Sequence, residues 1–454
     1  MILSGTRASL LLFVGDIATF FLALFLTLII RYGGDLTPQV VHEHLLPFSI
    51  LFALWAIVFY LSGLYSKRIV FLRANLANAI VRTQAANIVL AALFFFLIPV
   101  GIAPKTNLII YLVVSLVLIL LWRLSIYPRV STRAALPTAL IASGAEATEL
   151  VDEARANPRY GIDFCIVRAA AAIEDPATFE RQLREKHIRL LIVDTSDQIA
   201  PEISALIYRL TRLEHQAQFS SFEDAYEEIF DRIPLSRLEH VWFLENVKPH
   251  NSPLYAFLKR TIDIIGGIIM GLVTLIALPF IAFADVFEGR GPVFIEQERL
   301  GQGGRPIKAY KFRSMRLNKA ASQDWTTEEK QENPITRVGD FLRKTSLDEF
   351  PQFVSIISGE LSLIGPRNDI KGLGERLSEA LPYYEARYLV KPGITGWAQV
   401  NQQYEQGNLS PQSIEETKVR LAYDFYYLKH RSLGLDLVIA LKTIKRMFFR
   451  VSTW

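Results

Sequence analysis

The sequence predicts a membrane protein in three parts. These are a four-helix transmembrane bundle over residues 1–130, a Rossmann-like α/β domain with a connector over 135–250, and a second α/β domain over 251–454. Hydrophobic residues make up 51% of the 454 residues, the mean hydropathy is +0.25, and the apolar residues are concentrated in long runs. A chain of this length exceeds one domain, and this composition is too apolar for an ordinary soluble protein.

Four apolar segments fill the first part, at residues 9–30, 46–64, 84–101 and 107–124. Each approaches or exceeds the roughly 20 residues that a helix needs to cross the hydrocarbon core. The connection over 66–83 carries four basic residues and no acid, namely Lys67, Arg68, Arg73 and Arg82. The positive-inside rule therefore predicts that this loop and both ends of the bundle are cytoplasmic.

Asp16 lies inside the first apolar segment. A carboxylate within a membrane is a candidate functional group. It could equally cap a neighbouring helix or pair with Arg82, and we favour that structural interpretation. Nothing else in the four segments indicates a substrate path, which argues against a transporter.

The middle part alternates short apolar runs, at 138–143, 163–168 and 189–194, with helical stretches at 145–156 and 177–186. This pattern predicts a parallel sheet with crossover helices. A dinucleotide site would need several glycines after the first strand, where only Gly144 occurs, so we favour a structural or oligomerisation role. Residues 219–251 are predicted to be an irregular connector. The one cysteine, Cys165, excludes an internal disulfide and is predicted to be a core residue.

The third part begins with an apolar segment over 262–284 that is long enough to span the membrane. Lys259 and Arg260 precede it and Arg290 follows it, so the charge bias does not favour moving either end across. Pro279 removes a backbone donor and is expected to break the helix. We predict a re-entrant helix that enters and leaves by the cytoplasmic face, with a fifth true span as the alternative.

An adjacent carboxylate pair, Asp348 and Glu349, follows Arg343 closely. A serine or threonine at 345–346 is predicted to cap a helix, which would place both carboxylates in the first turn, where the macrodipole favours ionisation. An ionised carboxylate held beside cations is either a metal ligand or a nucleophile towards phosphorus. An ion pair on a solvated helix face would have the same sequence.

Further cations flank this pair. A hairpin is predicted over 289–315 with GQGG as its turn, and in YKFRSM the side chains of Lys311 and Arg313 would leave one face of its second strand. Two cations on one face suit a diphosphate, although a solvated strand face would look the same. Arg367, beside Pro366, suits bidentate contact with phosphate.

Seven ordered blocks between residues 259 and 445 carry a family resemblance. They are KRTIDIIGG, GPVFIEQERLGQGG, YKFRSM, ITRVGDFLRKTSLDEFPQ, GELSLIGPR, VKPGITGWAQVN and YDFYYLKHRSLGLDL. This region resembles the catalytic core of the bacterial sugar transferases, the polyprenyl-phosphate hexose-1-phosphate transferases. One position departs from the family pattern, because Asn368 stands where the family usually has proline.

The resemblance implies a chemistry. Asp348 would attack the β-phosphorus of a UDP-hexose, UDP-glucose or UDP-galactose, and expel UMP. It would then pass the sugar phosphate to undecaprenyl phosphate, the initiating step of surface polysaccharide synthesis. Glu349 together with Asp348 would hold Mg²⁺. The residues assigned to substrate binding are Lys311, Arg313, Arg343, Arg367 and Asp424.

The implied location is the cytoplasmic face of the bacterial inner membrane, and a homodimer is expected. The basic, apolar segment 432–450 is predicted to be a helix resting on anionic lipid. The formal net charge of +4 gives no indication of nucleic-acid binding. Two alternatives stay open: the same chemistry with a HexNAc-1-phosphate, and a non-enzymatic scaffold anchored in the membrane.

Overall fold

The computed structural model describes residues 5–62, 64–65, 73–98, 105–127, 135–196, 199–247, 253–288, 291–315, 335–402, 411 and 413–451. It divides into two units, Met1–Phe230 and Asp231–Trp454. This boundary falls ahead of the predicted one at 250. Residues 317–334, a polar segment whose sequence predicts a loop, and residues 66–72 of the predicted basic loop lie outside the described residues. Residues 73–83 of that loop are helical.

The first unit begins with four long helices. They are α1 (Gly5–Tyr32), α2 (Pro38–Leu61), α3 (Arg73–Leu97) and α4 (Lys105–Leu121). Stretches within all four are long and apolar enough to cross a membrane. Fully buried aromatic rings such as Phe20, Trp55 and Tyr111 pack between the helices, whereas leucines and isoleucines cover their outer faces. The four predicted apolar segments are therefore helices with the apolar surface that a membrane bundle requires.

Asp16 forms a buried ion pair with Arg123. The Nε and Nη2 atoms of Arg123 donate to the two carboxylate oxygens at 3.0 and 2.5 Å, and Nη1 donates to the Leu64 carbonyl at 3.0 Å. The predicted partner Arg82 is exposed instead. The pair has a structural role, because a buried carboxylate needs a counter-charge.

A four-stranded parallel sheet follows, with strand order β2-β1-β3-β4. The strands are β1 (Leu136–Ile141), β2 (Ile162–Arg168), β3 (Leu190–Val193) and β4 (Gln218–Ser221). The helices are α5 (Ala145–Ala156), α6 (Pro176–Glu185), α7 (Pro201–Tyr208) and α8 (Phe222–Phe230). The predicted α/β architecture is confirmed. Cys165, in β2, is only partly buried.

The prediction of an irregular connector over 219–251 is wrong for both halves of the segment. The first residues of this segment belong to β4. Helix α8 follows and buries Phe222, Tyr226 and Phe230, an i, i+4, i+8 pattern that the prediction from sequence missed. Residues 231–247 belong to the second unit, because Ile233 N donates to the Ala422 carbonyl at 3.1 Å and helix α9 (His240–Asn246) packs on its core.

The second unit is built on helix α10 (Pro253–Glu288), whose 36 residues extend about 54 Å. Glycines line its packed face. A Cβ on Gly266 would come within 2.3 Å of the Leu363 side chain, and Gly271 lies against Phe353. The Asp263 carboxylate accepts from Ser362 Oγ and from the Leu363 amide, both at 2.9 Å. These contacts fix α10 against the rest of the unit.

Helix α10 continues through Pro279. Helical backbone occupies both sides of the proline in the described segment, in place of the predicted helix, break and second helix. Its outer face is strongly apolar, with Leu275, Ile276, Phe280 and Phe283 all at least 63% exposed. How this helix lies in a membrane stays a prediction at this point.

The other elements of this unit are short. The predicted hairpin is confirmed as antiparallel strands β5 (Phe294–Leu300) and β6 (Pro306–Phe312), whose turn holds Gly303 and Gly304 at positive φ. Strands β7 (Ser362–Ile364) and β8 (Gly393–Thr395) pair in parallel. The sequence KPGITGW over 391–397 predicts a tight turn, but it contains β8. The helices are α11 (Arg337–Thr345), α12 (Phe353–Ser358), α13 (Lys371–Ala380), α14 (Trp397–Asn401), α15 (Ile414–His430) and α16 (Leu433–Val451).

Candidate active site

The carboxylate pair lies directly after α11. That helix ends at Thr345, Ser346 adopts a left-handed backbone with φ 58°, and a 3-10 helix covers Leu347–Gln352. Asp348 and Glu349 occupy its first turn, as predicted. The predicted cap is wrong, because Thr345 still belongs to α11 and its hydroxyl donates to the Phe341 carbonyl at 2.8 Å, while Ser346 makes no capping hydrogen bond.

Glu349 is held by two cations. Its Oε1 accepts from Lys311 Nζ at 2.7 Å and from Arg367 Nη2 at 2.6 Å, and its Oε2 accepts from Arg367 Nη1 at 3.3 Å. Burial opposes ionisation here, but the Arg367 guanidinium and the Lys311 ammonium outweigh it and hold the pKa of Glu349 well below its ordinary value. Glu349 is therefore a fixed anion.

Asp348 has a different environment. Within the described residues, no hydrogen bond or ion pair joins its carboxylate to another side chain. Burial raises the pKa of Asp348, and the adjacent Glu349 charge raises it further, against the opposing charges of Lys311, Arg367 and Arg343. A carboxylate that lies among cations without being tied to one of them is available as a nucleophile.

The cations predicted for the site are not all brought to one place. Lys311 contacts Glu349, and burial lowers the pKa of its ammonium. Arg343, in the last turn of α11, acts on the charge of Asp348. Arg313 is buried with its guanidinium beside Gly291, and it is not among the cations that contact Glu349.

Arg367 is fixed from behind by a group of buried side chains, here called the support network, which consists of Asp369, Arg387, Arg420 and Asp424. The Nη2 atoms of Arg387 and Arg420 each donate to the Arg367 main-chain oxygen at 2.9 Å. Asp369 accepts from both arginines and from the hydroxyls of Tyr384 and Tyr388. Burial opposes its charge, but Arg387 and Arg420 keep the pKa of Asp369 well below normal.

Asp424 was predicted to bind substrate, and this prediction is wrong because its side chain is buried in the support network. It is 1% exposed and pairs with Arg387 at 2.8 Å. Its carboxylate therefore acts on the site through Arg387 and Arg420, which both hold Arg367. The other three network members were missed, because separate elements contribute them and buried arginines look like surface residues in a sequence.

Arg299 is a further buried cation that the sequence did not indicate. Its Nη1 donates to the main-chain oxygen of Asn368 at 2.9 Å and lies 3.3 Å from the Asn368 side-chain oxygen. Asn368, which stands at the position where proline is usual, is thereby held through its own side chain as well as its backbone.

Two undecaprenyl-phosphate transferases are among the curated proteins that resemble this chain. The UDP-N-acetylgalactosamine-undecaprenyl-phosphate N-acetylgalactosaminephosphotransferase of Aeromonas hydrophila is 38% identical over 198 residues, which are 43% of this chain and 44% of that protein. The UDP-glucose:undecaprenyl-phosphate glucose-1-phosphate transferase of Escherichia coli K12 is 36% identical over 217 residues, 47% of this chain and 46% of that protein. The match spans less than half the length of either relative.

Residues 254–450 match the family model of the bacterial sugar transferases. The exopolysaccharide production protein PSS of Rhizobium leguminosarum bv. phaseoli is 34% identical over 191 residues, which are 41% of this chain and 93% of that protein. The chain belongs to the bacterial sugar transferase family. The resemblance predicted between residues 259 and 445 is confirmed.

The described carboxylates of this sugar transferase could supply only some of the ligands that Mg²⁺ needs. Mg²⁺ is commonly held by one or two carboxylates and completed by substrate phosphates and water. Asp348 and Glu349 supply that number, with Asp348 open and Glu349 shared with two cations. Among the described residues no group of three or more His, Cys, Asp or Glu side chains could enclose a metal ion. The site therefore fits a metal completed by substrate phosphate.

Proposed function

We propose that the protein transfers hexose-1-phosphate from UDP-glucose or UDP-galactose to undecaprenyl phosphate through an aspartyl-phosphosugar intermediate and releases UMP. The observation that carries this proposal is the contrast between the pair: Glu349 is tied to Lys311 and Arg367, whereas Asp348 beside it has no ion-pair partner among the described residues. The names of the Aeromonas and Escherichia coli relatives, which state undecaprenyl-phosphate transfer, support the substrate class.

The proposed reaction has two displacements at the same phosphorus. An Asp348 carboxylate oxygen bonds to the β-phosphorus, the bond from that phosphorus to the bridging oxygen breaks, and UMP leaves with the bridging oxygen. A phosphate oxygen of undecaprenyl phosphate then attacks this phosphorus and releases the Asp348 carboxylate. Because one substrate is soluble and the other is held in lipid, a covalent relay lets them use one site in turn.

The cations around the pair supply the electrostatic part. Lys311 and Arg367, fixed by Glu349, face the negative charge that develops on the phosphoryl oxygens, and Arg343 adds to the same field. When bound to Glu349 and Asp348, Mg²⁺ would neutralise the diphosphate and assist the leaving group. Arg313 would act on the bound phosphates from a distance, through its charge.

We further propose that α10 does not cross the membrane and that the second unit lies on the cytoplasmic face. From Lys259 to Ile281 the helix contacts its own unit: Lys259 bonds the Ile364 carbonyl, and Ala277, Leu278 and Ile281 cluster with Leu347, next to Asp348. This contact extends about 33 Å, as long as the hydrocarbon core is thick. A crossing helix would carry the charged pair into lipid, which is costly.

Such an arrangement needs α10 to lie shallowly with its apolar face in the inner leaflet, or to bend at Pro279 in the membrane. Single cysteines at Glu239 and Glu298, placed in a Cys165→Ser background, flank the helix and are both exposed. We expect both to react with an impermeant maleimide only in inside-out vesicles. Reaction from opposite sides would establish a fifth span instead.

The activity is tested by measuring UMP release from the membrane-embedded protein. Undecaprenyl phosphate and a panel of UDP-glucose, UDP-galactose and UDP-HexNAc should give UMP release with a hexose donor. The HexNAc alternative is favoured by the Aeromonas relative, and a preference for that donor would replace the hexose assignment. No release with any donor would indicate a scaffold.

The covalent step is tested without acceptor lipid. UDP-hexose labelled at the β-phosphate should leave label on the unaltered protein and none on Asp348→Asn. Asp340→Asn is the matched control, because Asp340 is a half-exposed aspartate on α11 that pairs with Lys344 at 2.7 Å, and it should label normally. Label on Asp348→Asn would refute the assigned nucleophile. The homodimer stays a prediction.

A further inference from the structure

Arg299 lies one residue before the end of β5, on the same face of the hairpin as Lys311. Side chains alternate along a strand, so Gln297 and Arg299 point inward while Glu296 and Glu298 are exposed. Arg299 is only 9% exposed. Its Nε and Nη2 donate to Gln297 Oε1 at 3.1 and 2.6 Å, and its Nη1 donates to the Asn368 carbonyl at 2.9 Å.

The guanidinium of Arg299 has no anionic partner in the part of the chain that the structure describes. Its hydrogen-bond acceptors are the side-chain oxygens of Gln297 and Asn368 and the Asn368 carbonyl, all neutral, and it forms no ion pair with a described residue. Burial and the nearby Arg367 charge lower the pKa of Arg299 to about 10, so it is still protonated at neutral pH. Burying a charge without a counter-charge costs several kcal/mol.

The nearest carboxylates, Glu349 and Asp369, act on Arg299 only through space, because both are paired with other cations. The support network contains two carboxylates and two guanidiniums and is balanced. In front of it, Lys311, Arg367 and Arg299 interact electrostatically with one another and share one tied carboxylate, Glu349. Three cations against one carboxylate leave two positive charges in excess. Ionised Asp348 offsets one of these charges, and Arg343, which acts on Asp348, restores the excess of two.

We propose that Arg299 is a further positioning residue for a diphosphate ligand. It supplies one of the two excess positive charges and holds Asn368, and with it the adjacent Arg367, where the ligand binds. A nucleoside diphosphate sugar carries one ionised oxygen on each phosphate, which matches this excess. The inference rests on the proposed function and deepens it, since it assigns recognition of the diphosphate, and neither the base nor the sugar, to this group.

The test measures binding of UDP and of uridine to the intact protein in nanodiscs. Uridine has the same base and ribose without phosphate. In Arg299→Gln the ratio of UDP affinity to uridine affinity should fall about tenfold or more, the loss of one charge-assisted interaction. In Arg299→Lys, which keeps the charge and loses the planar fork, the ratio should stay within about threefold of the unaltered protein.

Arg260→Gln is the matched control. Among the described residues Arg260 likewise donates only to neutral carbonyls, those of Ile356 at 2.7 Å and Ile357 at 2.6 Å. Its loss should lower thermal stability without changing the UDP-to-uridine ratio. A purely structural role of Arg299 would give the same pattern.

The outcomes separate the two proposals. If the unaltered protein binds UDP and Arg299→Gln keeps its ratio, the inference is overturned while the proposed function stands. If the folded, unaltered protein does not bind UDP, both are overturned. Should Arg299→Gln fail to fold, Arg299→Lys decides: a retained ratio supports the role of the charge, and a tenfold loss contradicts it.

Discussion

Arg387 donates a hydrogen bond of 2.9 Å from Nη2 to the main-chain oxygen of Arg367. Arg387 is itself 1% exposed and held by Asp369 and Asp424. The side chain that contacts Glu349 is thus fixed through its backbone by a buried charge network. A site whose cations are already in place needs little reorganisation when negative charge develops on a phosphoryl group.

Asp369→Asn should be strongly destabilising. The carboxylate accepts from two arginines and two tyrosines. Removing its charge leaves two buried guanidiniums to share the single carboxylate of Asp424, a loss of about 3–5 kcal/mol. Since the pKa of Asp369 is lowered in the folded state, its contribution is present above the unfolded pKa and lost as pH falls. Thermal unfolding in detergent at pH 7 and at lower pH measures this.

The control for that measurement is Asp340→Asn in the same unit, whose pair with Lys344 has about half of each side chain exposed. Its effect should be at most about 1 kcal/mol. If both variants unfold at the same temperature, the support network does not stabilise the unit.

Asp348→Asn should have the opposite effect on stability. The pKa of Asp348 is raised in the folded state, so its favourable contribution is present below the unfolded pKa and lost as pH rises through the folded pKa. At pH 7 the variant removes a half-buried charge without a partner and should be as stable as the unaltered protein, or more stable by about 1 kcal/mol. This gain should vanish in acid. A loss as large as that of Asp369→Asn would mean that Asp348 is tied to a structural partner.

The rate of covalent labelling should depend on pH through the same carboxyl. Only ionised Asp348 attacks phosphorus, so the rate should fall in acid at a pH above the ordinary aspartate range. In Glu349→Gln a negative neighbour is removed, and Lys311 and Arg367 lose their partner. The acid limb should therefore move to lower pH even though the maximal rate drops. Single-turnover labelling of both proteins across pH measures the acid limb of each. An acid limb at the same pH in both proteins would contradict the coupling of the two carboxylates.

Chelation should stop the reaction without unfolding the protein. The described carboxylates can hold Mg²⁺ only together with substrate phosphate, so EDTA should abolish UMP release while leaving the unfolding temperature unchanged. Added Mg²⁺ should restore release, and Glu349→Gln should need about tenfold more of it, as expected when a ligand is lost. Undiminished release in EDTA would remove the metal from the proposal and leave the covalent step intact.

Local patterns carried most of what the sequence predicted. The hairpin follows from alternation and a glycine turn, and Lys311 and the carboxylate pair meet because β6 passes the 3-10 helix that carries Glu349. The helices of the first unit follow from apolar runs longer than about 20 residues. The residues that decide the hairpin and these helices are neighbours in the chain, whereas Lys311 and Glu349 are 38 positions apart.

Burial of charge could not be predicted in the same way. Asp369, Arg387 and Arg420 come from three separate parts of the chain, and each is of a residue type that usually lies on the solvent-exposed surface. Asp424 was assigned to substrate binding with the family block YDFYYLKHRSLGLDL, and nothing in its sequence neighbourhood shows that Arg387 neutralises it. The capping error at 345–346 has a smaller cause, because Thr345 satisfies its hydroxyl within the preceding helix.

The second unit should fold and act without the first 230 residues, provided that it keeps residues 231–247. Trp242 and Phe243 contact the Phe425 ring, and Trp397 Nε1 donates to the Asp231 carbonyl at 2.8 Å. A chain of residues 231–454 should release UMP, whereas one of residues 251–454 exposes this surface and should lose several kcal/mol, about 2 for each large side chain unburied. The 93% coverage of the Rhizobium relative by a 191-residue match shows that a family member can consist almost entirely of this part. UMP release and unfolding temperature of the two truncations, compared with full-length Trp242→Ala, measure the effect; equal stability of the two truncations would show that residues 231–247 are dispensable.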